Sequence, residues 1–349
     1  MTSEQFKLQL LEIFYQDMHR TEKDNYDAFR FGYDGVDRST LFDASRRARF
    51  MSWFNTNIEA IFRTFSHLAD QRSRDLYVDI LRFKLAGHLH VRINNHIAAL
   101  APQVEAFKAA ASARPSSAAV GGVFGNLVEY NVDWQGNRYD VHTIQDGLVA
   151  TLVYRQYFFE RDGVRIAPQA GDFVIDGGSC TGDTVAVFRE AVGPSGHVYA
   201  FDPVQVHVDL CKLNTSRDDY RNTTVFPYGV GERSIDAPMI SLTHYHPGYH
   251  PSNNEEPVPL RRIDDLVIDG KIERVDFLKL DIEGAEMSAL RGAEAAIRRF
   301  RPKLAISIYH QPNDFFEIAD FIWNLGMGYR LYLDHYTIHE EETVLYAMV

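Results

Sequence analysis

The segment Val174-Ile-Asp176-Gly177-Gly178-Ser179-Cys180-Thr181-Gly182-Asp183-Thr184 sets three glycines between acids. Glycines in such a loop let the backbone turn sharply and approach a ligand closely. A further acid stands in Ala200-Phe201-Asp202-Pro203, where a carboxylate can accept both hydroxyls of a ribose. A third group, Lys279-Leu-Asp281-Ile-Glu283-Gly284-Ala-Glu286, gathers a cation and three carboxylates, and His310 closes Ile306-Ser-Ile-Tyr-His310. Histidine titrates near working pH, so His310 is the candidate base, with Asp281, Glu283 and Lys279 as its catalytic companions. Lys279 and Asp281 share side-chain parity on one strand, so an ion pair or an acceptor-orienting role is open to them. Asp281, Glu283 and His310 are also a candidate set for a divalent cation, although nothing in their spacing requires one. Glu286 is read either as part of this cluster or as a plain complement to a helix dipole.

The acids bear on the ligand's charge. A pyrophosphate sits at a helix N-terminus and wants it free of negative charge. Here Asp176 ends the strand and Asp183 opens the helix, which disfavours two phosphates. S-adenosylmethionine has no phosphate and carries an ammonium and a sulfonium, so the acids suit it. Asp202 supports an adenosine ligand without choosing between that cofactor and NAD. The expected cofactor contacts are Asp176, Gly177, Gly178, Gly182, Thr184, Asp202 and Pro203; a bare strand-to-helix turn capped by Asp is the plain alternative. Cys180 lies in the loop with no basic neighbour in sequence and is read as a small filler.

These residues need elements to hold them. Up to about Ala111 apolar residues recur at three- and four-residue intervals, as in Ile58, Ile61, Phe62, Phe65 and Leu68, which predicts helices. Ser112 to Gly122 is small and flexible in type and reads as a linker or loop. Leu127 to Val132 and Arg138 to His142 flank Trp134-Gln-Gly-Asn137, which predicts a hairpin. From about Asp172 short apolar runs alternate with helical segments, which implies a parallel sheet with helices on both faces. Two closing strands, Tyr329 to Leu333 and Thr343 to Ala347, have no helix between them and imply an antiparallel pair at one edge. The expected divisions are 1–125, mainly helical; 126–170, a hairpin and lead-in helix; and 171–349, the α/β domain that binds the cofactor.

The whole chain narrows the partners. Its 48 acidic against 36 basic side chains leave a net charge of -12, which repels nucleic acid and anionic membranes. Two cysteines cannot build a disulfide framework, so a reducing, cytoplasmic setting is expected. The start lacks the basic-then-apolar order of a signal peptide, and no apolar run is long enough to span a membrane. A homo-oligomer is compatible with the helical N-terminal half. The run His244-Tyr-His246-Pro-Gly-Tyr-His250 reads as an aromatic loop over an acceptor ahead of a metal site, with an ordinary surface loop as the remaining alternative.

Phe173-Val-Ile-Asp-Gly-Gly with Gly182-Asp-Thr, then Ala200-Phe-Asp-Pro, resembles the opening of the FkbM-type methyltransferases. So does Phe277-Leu-Lys-Leu-Asp-Ile-Glu-Gly-Ala-Glu286 with Leu290-Arg-Gly-Ala293, followed by Arg301-Pro-Lys-Leu-Ala305. The resemblance covers residues 170 to 349 and is most specific from Lys279 to Glu286. It implies a class I, Rossmann-like methyltransferase sheet, S-adenosylmethionine as cofactor, and O-methylation of a sugar or polyketide-like hydroxyl, free or carrier-bound. One departure is that the second-strand acid, often Glu in the family, is Asp202 here. The rivals are a nicotinamide-dependent oxidoreductase and a non-catalytic module that binds an adenosine ligand. The terminal strand pair and the acids in the loop disfavour the first; the polar cluster at Asp281 disfavours the second.

Overall fold

The computed structural model describes residues 1–22, 25, 43–116, 118, 127–144, 147–216, 222–236 and 259–349. The histidine-rich run from His244 to His250 lies outside them. Contacts divide the chain into two compact units, Met1–Ala98 with Ile308–Leu345 and Ala99–Ser307 with Tyr346–Val349.

The chain opens with α1 (Ser3–Asp17), α2 (Ala44–His67) and α3 (Gln71–Ala86), as the apolar spacing predicts. Thr2, Asp43 and Asp70 cap them, each side chain accepting from a backbone N–H in the first turn. Phe14 meets Phe50 and Phe54 edge-on, with centroids 6.0 and 5.6 Å apart. These apolar stripes make the first unit's core.

Helix α4 (Ala101–Ala110) leads into a three-stranded antiparallel sheet of β1 (Ser112–Pro115), β2 (Leu127–Trp134) and β3 (Asn137–Ile144). Gln135 and Gly136 make the two-residue turn with φ of 51° and 87°, both positive as a type I′ turn demands. Asn137, expected in the turn, already pairs with Trp134. Ser112 to Pro115, expected as linker, is an exposed edge strand instead. Weak strand formers and a Pro are tolerated at an edge because only one side of the ladder needs donors. The hairpin's inner face, Tyr130, Val132, Tyr139 and Val141, packs on Leu148, Leu152 and Ala186. A second hairpin, β4 (Phe159–Arg161) with β5 (Val164–Ile166), precedes the main sheet.

There follow β6 (Phe173–Gly177), α5 (Asp183–Val192), β7 (His197–Phe201), α6 (Gln205–Thr215), β8 (Thr223–Phe226), β9 (Gly229–Val230) and β10 (Leu260–Arg261). Next are α7 (Ile263–Ile268), β11 (Phe277–Leu280), α8 (Glu286–Gly292), α9 (Glu294–Phe300) and β12 (Lys303–Ser307). The chain closes with α10 (Asp314–Asn324), β13 (Arg330–His335) and β14 (Thr343–Met348). The expected helix from Glu286 to Arg299 is thus two helices that part at Ala293.

Seven strands form one sheet in the order β13-β14-β12-β11-β6-β7-β8. β6 pairs in parallel with both β11 and β7, and its side chains are nearly all buried, as a strand covered on both faces requires. Only residues 336–342 join β13 to β14, too few for a crossover, so this closing pair runs antiparallel. The chain runs outward from β6 in one direction through β7 and β8, and in the other through β11 and β12. Right-handed crossovers therefore put the helices on opposite faces. The order reverses between β6 and β11, where open α/β sheets bind ligands at strand C-termini.

Candidate active site at the strand switch point

Three strands end together at this reversal, because Gly177 of β6 stands in register with Leu280 of β11 and Phe201 of β7. The glycine loop, Asp202 and the Asp281 turn leave from those ends. Gly178 adopts φ 77°, and a Cβ built there would fall 1.8 Å from the carbonyl oxygen of Asp281. The two loops can lie this close only because that side chain is absent. The N–H groups of Gly178 and Ser179 donate to the Phe201 carbonyl at 2.9 and 3.1 Å, so the loop leans toward β7. Cys180, with φ 43°, and Gly182, with φ 86°, complete the left-handed bends.

Register explains the buried charges. Asp176 stands opposite Lys279 across β6 and β11, which places both side chains on one face. The Lys279 ammonium lies 3.0 Å from Asp176 Oδ1. It also donates to the Gly177 and Gly178 carbonyls at 3.0 and 2.8 Å. The Thr184 hydroxyl donates to Asp176 Oδ2 at 2.5 Å. Lys279 and Asp176 are both buried. Burial works against the Lys279 charge, but Asp176 and Asp281 raise its pKa overall. Asp183 is pushed up to about 6, chiefly by burial and then by Asp176, against the pull of Lys279. Burial, with Asp202 and Asp183 nearby, raises the Cys180 thiol well above its usual value, so it is no ready nucleophile.

Asp202 is buried at the end of β7. Its Oδ2 accepts from the Cys180 N–H at 3.1 Å. Its Oδ1 accepts from the Val204 N–H at 2.9 Å and lies 3.0 Å from His207 Nδ1. The carboxylate therefore ties the glycine loop to the start of α6. Pro203, next in the chain, is half-buried.

On the other side, the Asp281 N–H donates to the Gly177 carbonyl at 3.1 Å. Asp281 Oδ2 accepts from the Tyr157 hydroxyl at 2.6 Å. Glu283 is exposed with φ 58°, and Gly284 follows with φ 99°. Glu286 is fully buried; its two oxygens accept from the Ile282 and Gly284 N–H groups at 2.7 and 3.0 Å. It closes the turn that carries Asp281 and Glu283. His310 belongs to the first compact unit, where its ring lies 4.0 Å from that of Tyr309.

Two groups of residues at the site are absent from the sequence expectations. Tyr157, with φ 74°, donates its N–H to the Tyr346 hydroxyl at 3.1 Å and has the Lys279 ammonium 5.1 Å from its ring centre. Its only trace in the sequence is the aromatic run Tyr154-Arg-Gln-Tyr157-Phe-Phe159. Asn214 of α6 donates to the His142 and Thr181 carbonyls, both at 2.7 Å, and accepts from the His142 N–H at 2.8 Å. The hydroxyls of Thr143 and Thr181 lie 2.8 Å apart. The β2–β3 hairpin thereby braces the glycine loop from outside the sheet.

Residues 176–331 match a family model described as the methyltransferase FkbM domain. The chain carries a methyltransferase FkbM domain. Asp176, Asp202, Lys279, Asp281 and His310 all fall inside the FkbM domain, whereas Tyr157 and the bracing hairpin precede it. The chain is similar in structure to the methyltransferase FkbM from Methylobacillus flagellatus KT, with a TM-score of 0.56 and 20% identity. That match covers 96% of this chain and 76% of the other, and it speaks to the fold. A slighter likeness is to fibrillarin from Aeropyrum pernix, solved with S-adenosylmethionine bound. Its TM-score is 0.35 at 15% identity, over 63% of this chain and 93% of that one, too little to carry weight. No curated protein matches the sequence. Among the described residues no helix is long and apolar enough to cross a membrane.

Proposed function

We propose that the FkbM domain methylates a hydroxyl oxygen of a sugar, a glycan precursor or a polyketide-like natural product, free or carrier-bound. The observation that carries this is the meeting of the glycine loop, Asp202 and the Asp281 turn at the C-terminal ends of β6, β7 and β11. S-adenosylmethionine, when bound, supplies a methyl group on a sulfonium that is already a good leaving group. The donor set suits it, since carboxylates at 176, 183 and 202 favour a cationic ligand and disfavour phosphate.

In this reading Asp202 accepts the ribose hydroxyls while its link to the Cys180 N–H keeps the loop in place. Gly177, Gly178 and Gly182 shape the loop around the amino-acid end of the cofactor, and Pro203 lines the adenosine side. Asp176 and Thr184 act from beneath the loop, where they are joined to each other and to Lys279. The burial of Lys279 supports a role in holding the Gly177 and Gly178 carbonyls, not in handling the acceptor. Holding the acceptor in line contributes on the order of 7–11 kcal/mol of barrier reduction in well-oriented reactions. Asp281, held by Tyr157, orients the acceptor hydroxyl, and His310 takes its proton as the new bond forms. Glu283 stands at the rim of this turn.

Methyl transfer to a panel of sugars and glycan precursors, followed with labelled cofactor, tests the reading. His310→Ala is expected to bind cofactor normally and lose turnover; normal turnover would remove it as the base. Chelator is expected to leave the rate unchanged, whereas loss of rate would favour the cation set of Asp281, Glu283 and His310. Cys180, half-buried, and Cys211, buried, are both free, which supports a reducing, cytoplasmic setting.

A further inference from the structure

The first compact unit holds a cavity of about 530 Å³ whose lining includes none of the residues proposed above for cofactor or catalysis. Its floor includes Trp323 of α10, which is 45% exposed although indole is among the most buried side chains on average. The indole stacks on the His67 ring at the end of α2, with centroids 3.8 Å apart and planes 8° from parallel. Burial lowers the His67 pKa, and the stacked imidazole backs one face of the indole. Arg74 of α3 and Arg330 of β13 line the same cavity. Elsewhere in this unit Arg46, Arg63 and Arg82 each pair with a carboxylate. Neither Arg74 nor Arg330 has a carboxylate partner among the described residues; Arg330 lies over the Tyr332 ring at 5.4 Å. Two guanidiniums thus share one cavity in a chain of net charge -12. Gly326 and Gly328 leave the rim open, since a Cβ at either would meet nothing within 4 Å.

A flat ring platform offers its face to the C–H side of a pyranose, and guanidinium binds phosphate or carboxylate through two parallel hydrogen bonds. The volume is that of a small-molecule site. We propose that this cavity binds a sugar carrying a phosphate or carboxylate group, with Trp323 under the ring and Arg74 and Arg330 on the anion.

Calorimetric titration of the whole chain with glucose 6-phosphate, glucuronate, glucose and inorganic phosphate tests it. Binding of glucose 6-phosphate or glucuronate is expected, with glucose and phosphate each at least about tenfold weaker. Trp323→Ala and Arg330→Ala should each weaken the anionic sugar about tenfold while leaving S-adenosylmethionine affinity and the circular dichroism spectrum unchanged. Trp323→Phe should retain most of the affinity. No binding of either anionic sugar up to about 10 mM would overturn the proposal. So would binding that both alanine variants leave intact, or phosphate alone binding as tightly as glucose 6-phosphate.

Discussion

The phenol of Tyr157 donates to Oδ2 of Asp281 at 2.6 Å, across 124 positions of sequence and from outside the FkbM domain. Asp281 is the acid at the heart of the most specific motif, so its rotamer is set by a residue the motif does not contain. Tyr157 is itself held in a left-handed backbone conformation, rare for an aromatic residue, with its N–H on Tyr346.

Tyr157→Phe removes the donor and keeps the ring. A hydrogen bond to a charged group contributes roughly 1.5–3 kcal/mol, so the melting temperature should fall by a few degrees. Cofactor affinity should change by less than about threefold, since the phenol holds Asp281, the residue proposed to orient the acceptor, while turnover falls about tenfold or more. Equal losses in both would show that Tyr157 shapes the whole pocket instead of orienting Asp281.

Gly178→Ala should abolish cofactor binding. The added methyl would lie 1.8 Å from the Asp281 carbonyl, and both loops must move apart to admit it. Calorimetry with S-adenosylmethionine reads the loss. Wild-type affinity in this variant would mean that the close approach of the two loops is not needed for the site.

Lys279→Met leaves Asp176 buried without its cation. Breaking a buried pair from one side costs about 3–5 kcal/mol, which chemical denaturation would register. Adding Asp176→Asn should restore a good part of that loss, because the stranded charge goes with it. If the double variant is as unstable as the sum of the single ones, the pair is not coupled.

Asp183 carries a pH signature. Its ordinary value is 3.8 and its folded value about 6, so between the two the folded state binds more protons than the unfolded. Native stability contributed by this group is therefore present below about pH 4 and lost as pH rises through about 6. Asp183→Asn lacks the penalty. Its stability relative to the parent should climb from about pH 4 to pH 7, by no more than about 3 kcal/mol. A difference that stays flat across that range would contradict the burial of a charged carboxylate there.

Local chemistry made much of this legible. The strand ends at Asp176, Asp202 and Asp281, the helices after the first two, and the closing antiparallel strands follow from apolar runs stopped by acids, Gly or Pro. Lys279 illustrates the limit. Parity within its own strand suggested Asp281, yet its partner is Asp176, because β6–β11 register is a property of the assembled sheet. Tyr157 and Asn214 act over 124, 72 and 33 positions, through contacts that no local pattern encodes. Ser112 to Pro115 became a strand because β2 offered an unpaired edge, against its own weak propensity.

Calorimetric titration with S-adenosylmethionine, its demethylated product and NAD, on the parent chain and on Asp202→Ala, goes most directly to the site at the strand switch point. Both sulfur ligands should bind the parent, NAD should not, and the variant should lose about tenfold or more in affinity for each. NAD binding in their place, or full S-adenosylmethionine affinity in Asp202→Ala, would contradict the assignment of that site.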